Sequence, residues 1–223
     1  MNDNNLKIEI TADGSATIFV ENLNEHYHSV KGALAEAEHI YRDCALMRRV
    51  HDAGKNHLRV LEVGFGTGLN ALVTINAPTL NIPIHYITLE KYPLDASVID
   101  SLQYHSLQNS FFFKDIHEAE WNTPVPITPY FTLEKRECDF TIDPLPSDID
   151  VVYFDAFAPE KQPEMWTRQC FERIYEAMAV GGILTTYCAK GEVRRTLEAV
   201  GFTVLRMPGP VGGKREILRA EKL

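Results

Sequence analysis

The chain has 223 residues, 45% of them hydrophobic and 24% charged, and a formal net charge of −9. That length suits one domain with a small extension, and the apolar share is enough for a real core. The acidic balance argues against a broad, sequence-independent nucleic-acid surface, though not against a local basic face.

No apolar run approaches the ~18 residues that a membrane-spanning helix needs. The opening Met-Asn-Asp-Asn-Asn lacks the basic segment and apolar stretch of a secretory signal. Cys44, Cys138, Cys170 and Cys188 are scattered without a Cys-x-x-Cys pair, and the eight histidines are dispersed. Reduced thiols, a cytoplasmic location, no membrane and no metal site are therefore expected.

In chain order, residues 6–21 alternate around Ala-Asp-Gly-Ser and predict a β-hairpin. Residues 31–52 carry Leu34, Ala37, Ile40, Tyr41 and Ala45 at helical spacing and predict a helix ending at Gly54. Together they make an N-terminal extension, residues 1–55, ahead of a domain over 56–223. That domain opens with a strand at 57–63 and a helix at 69–76. A second strand at 84–90 and a helix after Pro93 follow. Residues 104–127 are the least legible. Strands are predicted at 130–138 and 149–154, then a helix at 164–178 stopped by Gly181 and Gly182. A strand at 183–188, a helix at 192–200 closed by Gly201, and strands at 202–207 and 216–220 complete the chain. Alternating β and α with apolar strands implies a mostly parallel sheet covered by helices on both faces. The last two strands are too close for a helical crossover and predict an antiparallel hairpin.

Residues 59–69 read Arg-Val-Leu-Glu-Val-Gly-Phe-Gly-Thr-Gly-Leu, a strand, an acid and three alternating glycines before a helix. Such a turn lets backbone N–H groups approach a cofactor with no Cβ in the way. Nicotinamide fingerprints space their glycines differently and lead a pyrophosphate onto the helix. Glu62, two residues before Gly64, would repel a pyrophosphate but suits a cationic ligand such as S-adenosylmethionine. Glu62, Glu90, Asp139 and Asp155 all occupy or follow strand ends, where open α/β sheets bind ligands. Glu90 is placed to accept from ribose hydroxyls, and Asp139 from an adenine amino group. Asp155 follows the apolar Val-Val-Tyr-Phe, where an unpaired carboxylate is costly. With Phe157, Pro159 and Trp166 it predicts a pocket for a planar ring bearing a polar group, although such an aromatic cluster also suits a core.

Four segments carry a more specific resemblance: Val-Gly-Phe-Gly-Thr-Gly-Leu-Asn at 63–70, Leu-Glu-Lys-Tyr-Pro-Leu at 89–94, Phe-Asp-Ala-Phe-Ala-Pro-Glu-Lys-Gln-Pro-Glu-Met-Trp at 154–166 and Gly-Lys-Arg-Glu at 213–216. From about residue 26 to 220 the chain resembles the methyltransferase domain of the bifunctional tRNA 5-methylaminomethyl-2-thiouridine biosynthesis proteins. The resemblance implies a Rossmann-like class I methyltransferase fold, a mostly parallel seven-stranded sheet with an antiparallel last strand. It implies S-adenosylmethionine as cofactor and the 5-aminomethyl group of the wobble uridine of tRNA, position 34, as methyl acceptor. It implies cofactor contacts from Glu62, Gly64, Phe65, Gly66, Thr67, Gly68, Asn70, Glu90, Lys91 and Asp139, with Asp155 at the cofactor and as the active-site acid. Lys214 and Arg215 fall in the family's tail near substrate. Ala156 departs from the glycine common there. The family's flavin-dependent oxidase domain has no counterpart in these residues, so a separate flavin oxidase or upstream wobble-uridine enzymes are the expected partners.

The reading is a stand-alone wobble-uridine N-methyltransferase, with Phe157, Pro159, Trp166, Lys190, Arg194, Arg195, Lys214 and Arg215 toward substrate, and Arg42 and Arg48 as further candidates for RNA contact. A methyltransferase of a small-molecule amine is the first alternative, favoured by the acidic charge and opposed by the 154–166 segment. A non-catalytic cofactor- or RNA-binding protein is the second, opposed by the glycine turn together with Glu90 and Asp155.

Overall fold

Two sheets organise the chain. The computed structural model describes residues 6–53, 55–77, 82–102, 104 and 110–223, and the expected helix end at Gly54 lies outside them. The smaller sheet is antiparallel, in the order β1 (Leu6–Ile10), β2 (Ala16–Val20), β3 (Glu25–His26). Asp13 builds the β1–β2 turn. Its carboxylate accepts from the Ser15 amide at 3.1 Å and hydroxyl at 2.5 Å, and from the amide of Ala35 at 3.0 Å. One aspartate thus ties the hairpin to the helix that follows.

That helix is not uniform. α1 (Ala33–Ala37) widens into a π-helical stretch (Glu38–Met47) and tightens again as α2 (Arg48–Ala53). Ile40, Tyr41, Ala45 and Leu46 of the wide stretch are all buried and pack into the core. π-Helical turns gather at functional sites, and this one carries Tyr41, whose hydroxyl bonds to Asp155 of the pocket described below.

The main sheet has the order β10-β11-β9-β8-β4-β5-β7-β6. Its strands are β4 (Leu58–Val63), β5 (Ile84–Glu90), β6 (Pro124–Thr128), β7 (Phe131–Glu137), β8 (Ile149–Phe154), β9 (Met178–Thr186), β10 (Thr203–Pro208) and β11 (Glu216–Glu221). β4, β5, β7, β8 and β9 pair in parallel, and β11 runs antiparallel to both β9 and β10. The connecting helices are α3 (Leu69–Ile75), α4 (Ala96–Ser101), α5 (Phe113–Glu118), α6 (Arg168–Ala177) and α7 (Gly191–Val200). All six residues of β8, Ile-Asp-Val-Val-Tyr-Phe, are buried, as a central strand covered on both faces requires. Chain order reverses between β4 and β8, and the crevice at their carboxyl ends is where such sheets bind ligands.

Three features differ from the expected elements. An eighth strand, β6, lies at the sheet edge within the illegible stretch; Pro124 and Pro126 hid it, and an edge strand tolerates prolines because it need not donate on its outer side. The helix expected over 164–178 is split. A 3-10 turn (Pro163–Trp166) precedes Thr167, whose side chain accepts from the Cys170 amide at 3.3 Å and starts α6. That helix ends at Ala177. Gly181 and Gly182 do not stop it but lie inside β9, where the register shifts between Ile149 and Val151. A Cβ at Gly182 would stand 2.8 Å from the Ala179 carbonyl oxygen, so the bulge needs glycine.

At the opposite end of the sheet from the pocket, Asp150 is 1% exposed. It accepts from the Arg49 guanidinium at 3.0 Å, the Arg59 amide at 3.1 Å and the Lys55 ammonium. Removing one partner of a buried pair leaves the other charge uncompensated. Asp150→Ala, which strands the buried Arg49, should lower stability by about 3–5 kcal/mol in denaturant unfolding, and an unchanged midpoint would contradict this reading.

Candidate active site

The carboxyl ends of β4, β5, β7 and β8 open onto a cavity of about 390 Å³. Gly64 and Gly66, with φ of 91° and 50°, lie in its wall with Phe65. The Gly64 amide donates to the Leu89 carbonyl at 3.0 Å, and the Asp155 amide to Val63 at 3.2 Å. The turn is therefore stitched to both neighbouring strands. Thr67 and Gly68 face away from the cavity. Thr67 is 1% exposed and its hydroxyl lies 3.3 Å from that of Tyr104, while Gly68 begins α3 in a left-handed conformation.

Glu90, at the end of β5, lines the cavity. Its carboxylate accepts from the Gly66 amide at 3.1 Å and the Tyr92 amide at 2.8 Å. Burial pushes its pKa up, and these backbone donors oppose the shift. Asp139 lines the cavity too, and accepts from Lys91 at 2.6 Å and from the Thr141 hydroxyl at 2.6 Å. These two bonds outweigh its burial and hold its carboxyl down at about 2.

Asp155 sits at the head of the loop after β8. The Tyr41 hydroxyl donates to its Oδ1 at 2.7 Å and the Asn70 amide to its Oδ2 at 2.8 Å. Burial pushes its pKa up to about 6, against the pull of these two hydrogen bonds. Phe157 lines the cavity and meets the Tyr27 ring edge-on at 5.1 Å. Trp166 does not reach the cavity. It is 7% exposed, packs on Phe154, and its indole N–H donates to the Phe157 carbonyl at 2.8 Å, bracing that loop from behind.

Glu62 also lies away from the cavity. It is fully buried, and neither carboxylate oxygen makes a hydrogen bond of normal geometry among the described residues. Burial pushes its pKa up to about 8. Asn70 Oδ1, on a residue that does line the cavity, is likewise without a partner.

Pro159 and Lys190 line a shallower neighbouring hollow, which shares Tyr187 and Lys214 with the main cavity. Arg194 and Arg195 on α7 and the exposed Arg215 line neither, and Arg194 pairs with Glu198 at 2.6 Å. Lys190 pairs with Glu160, and Arg42 with Glu38 and Asp43.

The residues that sequence reasoning missed come mostly from the N-terminal segment. Residues 24–30 form one wall, with Tyr27 and His28, and Glu36 and Tyr187 line the same space. Tyr41 and Glu36 sat in a stretch of helical periodicity and read as helix residues. Their fold neighbour Asp155 is far away in sequence, and no spacing rule connects them.

The donor set fits S-adenosylmethionine. The glycine wall lets a ligand approach the backbone, Glu90 and Asp139 offer carboxylate acceptors, and the unpartnered Asn70 Oδ1 suits an ammonium group. Residues 131–223 match the family model described as S-adenosyl-L-methionine-dependent methyltransferase. The chain is 30% identical over 207 residues to the tRNA 5-methylaminomethyl-2-thiouridine biosynthesis bifunctional protein MnmC of Cupriavidus metallidurans, covering 86% of this chain and 30% of the relative. The structure of MnmC2 from Aquifex aeolicus superposes with a TM-score of 0.75 at 25% identity, over 97% of this chain and 70% of that one. Spermidine synthase from Thermotoga maritima, at 16% identity and a TM-score of 0.62, shares the fold over 98% of this chain and 69% of its own.

Fold and family model together make the chain a class I S-adenosylmethionine-dependent methyltransferase, with S-adenosylmethionine as its cofactor. Within that class its similarity runs to the MnmC proteins, and it spans about a third of the length of the curated relatives it matches. No helix among the described residues is long and apolar enough to cross a membrane.

Two outcomes follow from this geometry. Gly66→Val adds bulk in the cavity wall at a left-handed φ, where a Cβ would stand 2.9 Å from the Tyr27 ring. It should abolish S-adenosylmethionine binding in calorimetry, and retained affinity would show that the turn does not hold the ligand. Glu62 has a raised folded-state pKa, so the stability it confers relative to a neutral isostere is complete below about 4.5 and is lost as pH rises through about 8. Glu62→Gln should match the parent near pH 4 and exceed it in unfolding free energy by on the order of 3–4 kcal/mol at pH 8. A gap independent of pH would refute this assignment.

Proposed function

We propose that the chain methylates the 5-aminomethyl nitrogen of the wobble uridine, position 34, in tRNA. The observation that carries this is the setting of Asp155: a carboxylate at the cavity, held through both oxygens by the neutral donors Tyr41 and Asn70, with no ion-pair partner among the described residues. Each oxygen keeps lone-pair capacity for a further donor. S-adenosylmethionine, when bound, supplies an electrophilic methyl group on sulfur.

The chain's own task is to position the acceptor amine and remove its protons. An alkylammonium has a pKa of about 10, by analogy with lysine, and has no lone pair until it is deprotonated. Asp155, raised to about 6, is ionised at neutral pH yet a better proton acceptor than an ordinary aspartate. Tyr41 and Asn70 fix its orientation, so most of the rate gain is positioning. The Phe157 ring offers a face for a planar base. On this reading the substrate arrives with a free aminomethyl group, supplied by a separate flavin oxidase or an upstream wobble-uridine enzyme.

Gly64, Phe65, Gly66, Asn70, Glu90, Lys91 and Asp139 form the proposed cofactor side, with Glu62, Thr67 and Gly68 acting from behind it through the shape of the turn. Phe157, Pro159, Lys190 and Lys214 form the substrate side, Trp166 braces it, and Arg194, Arg195 and Arg215 lie outward of it toward RNA. A small-molecule amine as acceptor is the second reading. It is favoured by the internal pairing of Lys190, Arg194 and Arg42, which leaves those cations less free for phosphates.

Methyl transfer from labelled S-adenosylmethionine to tRNA that lacks this methyl group, followed by nucleoside analysis, decides between them. Label in the 5-methylaminomethyl nucleoside supports the proposal; no label in tRNA, with label in a small amine, overturns it. Asp155→Asn should keep cofactor affinity and lose most turnover. In the parent chain kcat/KM should fall as pH drops through about 6, where Asp155 takes up its proton. A near-normal turnover in Asp155→Asn would make Asp155 a structural residue.

A further inference from the structure

Glu36 lies in α1, is 6% exposed and lines the main cavity. Its Oε2 accepts from the Ser29 amide at 2.8 Å, and its Oε1 pairs with the Lys214 ammonium. That ammonium stands 4.3 Å from the centre of the Tyr187 ring, within the range of a cation–π contact. The Tyr187 hydroxyl donates to the Ala156 carbonyl at 2.9 Å, which locks the ring beside the Asp155 loop. A buried carboxylate and a fixed aromatic face therefore already hold one primary alkylammonium, and that alkylammonium belongs to the chain itself.

Lys214 is carried by the loop between β10 and β11, which is rich in glycine. Gly212 has a φ of 77° with nothing near its Cβ position, and the Gly209 amide closes the loop onto the Arg215 carbonyl at 2.9 Å. Lys214 and Tyr187 line both the main cavity and the shallow hollow, so Lys214 stands in the partition between them. A loop of this kind can withdraw one side chain without disturbing the strands that flank it.

We infer that Glu36 and the face of Tyr187 form an alkylammonium-binding subsite that receives the aminoalkyl arm of the substrate, and that Lys214 occupies it in the free enzyme as an internal stand-in. The inference rests on the amine-methylation reading and narrows its substrate class to a primary amine that arrives protonated. Arrival exchanges one ammonium for another against Glu36, so the buried carboxylate is never left unpaired, which would be costly. The arriving ammonium then gives a proton to the Asp155 carboxylate; the N–H bond breaks, an O–H bond forms, and the nitrogen keeps the electron pair.

The test uses the full chain without tRNA or cofactor, and n-propylammonium chloride as probe, since this ion replaces the atoms that Lys214→Ala removes. By calorimetry or ligand-observed NMR, Lys214→Ala should bind propylammonium about tenfold more tightly than the parent, whose own lysine competes. Glu36→Gln added to Lys214→Ala should abolish that gain, and n-propanol should not bind in either. Equal affinity in parent and Lys214→Ala, or a gain that survives Glu36→Gln, overturns the subsite. Should Lys214→Ala fail to fold, tryptic cleavage after Lys214 in the Glu36→Gln chain replaces it. Several-fold faster cleavage than in the parent supports the tether, and an unchanged rate overturns it. Because no methyl transfer is measured, failure here leaves the tRNA reading intact, and failure of the tRNA assay leaves this subsite intact.

Discussion

Close approach between the ends of β4 and β8 is the constraint on which the site depends. A Cβ at Gly64 would stand 3.0 Å from the Asp155 carbonyl oxygen, and the φ of 91° at Gly64 disfavours any side chain. Glycine there lets the chain turn out of the central strand while the next strand's loop lies directly against it. The Asp155 carboxylate and the glycine wall thereby share one cavity. The same strand ends bring in Glu90, which accepts from the Gly66 amide, so the turn and the acid that faces the cavity beside it fix one another. Strand order, glycine conformation and the position of three functional groups are one geometric fact.

The acids around this cavity are held in three different ways. Asp139 has a cation and hydroxyl partners and stays strongly ionised. Asp155 has only neutral donors and is raised. Glu62 lies beneath the floor with no good partner and is raised furthest. Neutral donors orient a carboxylate without cancelling its charge, which leaves Asp155 free to receive a proton. One of its two donors, Tyr41, comes from the N-terminal helix, so the segment ahead of the Rossmann-like sheet holds this carboxylate as well as forming a wall. The π-helical widening at Glu38–Met47 is where Tyr41 turns toward that carboxylate.

The sheet was legible because its strands are short apolar runs between turn residues, and because Gly64, Gly66 and Asp155 sit at strand ends whose periodicity is plain. The glycines in β9 misled, since Gly181 and Gly182 look like a helix stop yet serve a bulge whose need arises only from pairing with β8 and β11. β6 was hidden by its prolines, which only an edge position permits. Within the site, the cofactor wall is local in sequence and could be read. Tyr41, Glu36 and Tyr187 could not, because Glu36 and Tyr187 reach the cavity, and Tyr41 reaches Asp155, through tertiary packing from elements whose own pattern reads as ordinary helix or strand. Trp166 failed in the opposite direction: an aromatic beside a pocket loop in sequence proved to be its support from behind.

Charge placement bears on the proposed methylation of an amine by an acidic protein. The cavity wall carries the carboxylates Glu25, Glu36, Glu90, Asp139, Asp155 and Glu164 against Lys91 and Lys214. Each lysine is spent on one acid, Lys91 on Asp139 and Lys214 on Glu36. The remaining excess of negative charge attracts a sulfonium and an ammonium alike, the two cations that amine methylation must bring together although they repel each other. In water that repulsion is screened; inside a cavity it is screened much less. Carboxylates spread around the wall lower the cost of assembling both cations, and on the proposed reading the removal of one amine proton by Asp155 would cancel the repulsion where nitrogen must approach carbon. The net charge of −9 is thus compatible with the proposed chemistry, and Arg195 and Arg215, which lie away from the wall, are the residues proposed for contact with RNA.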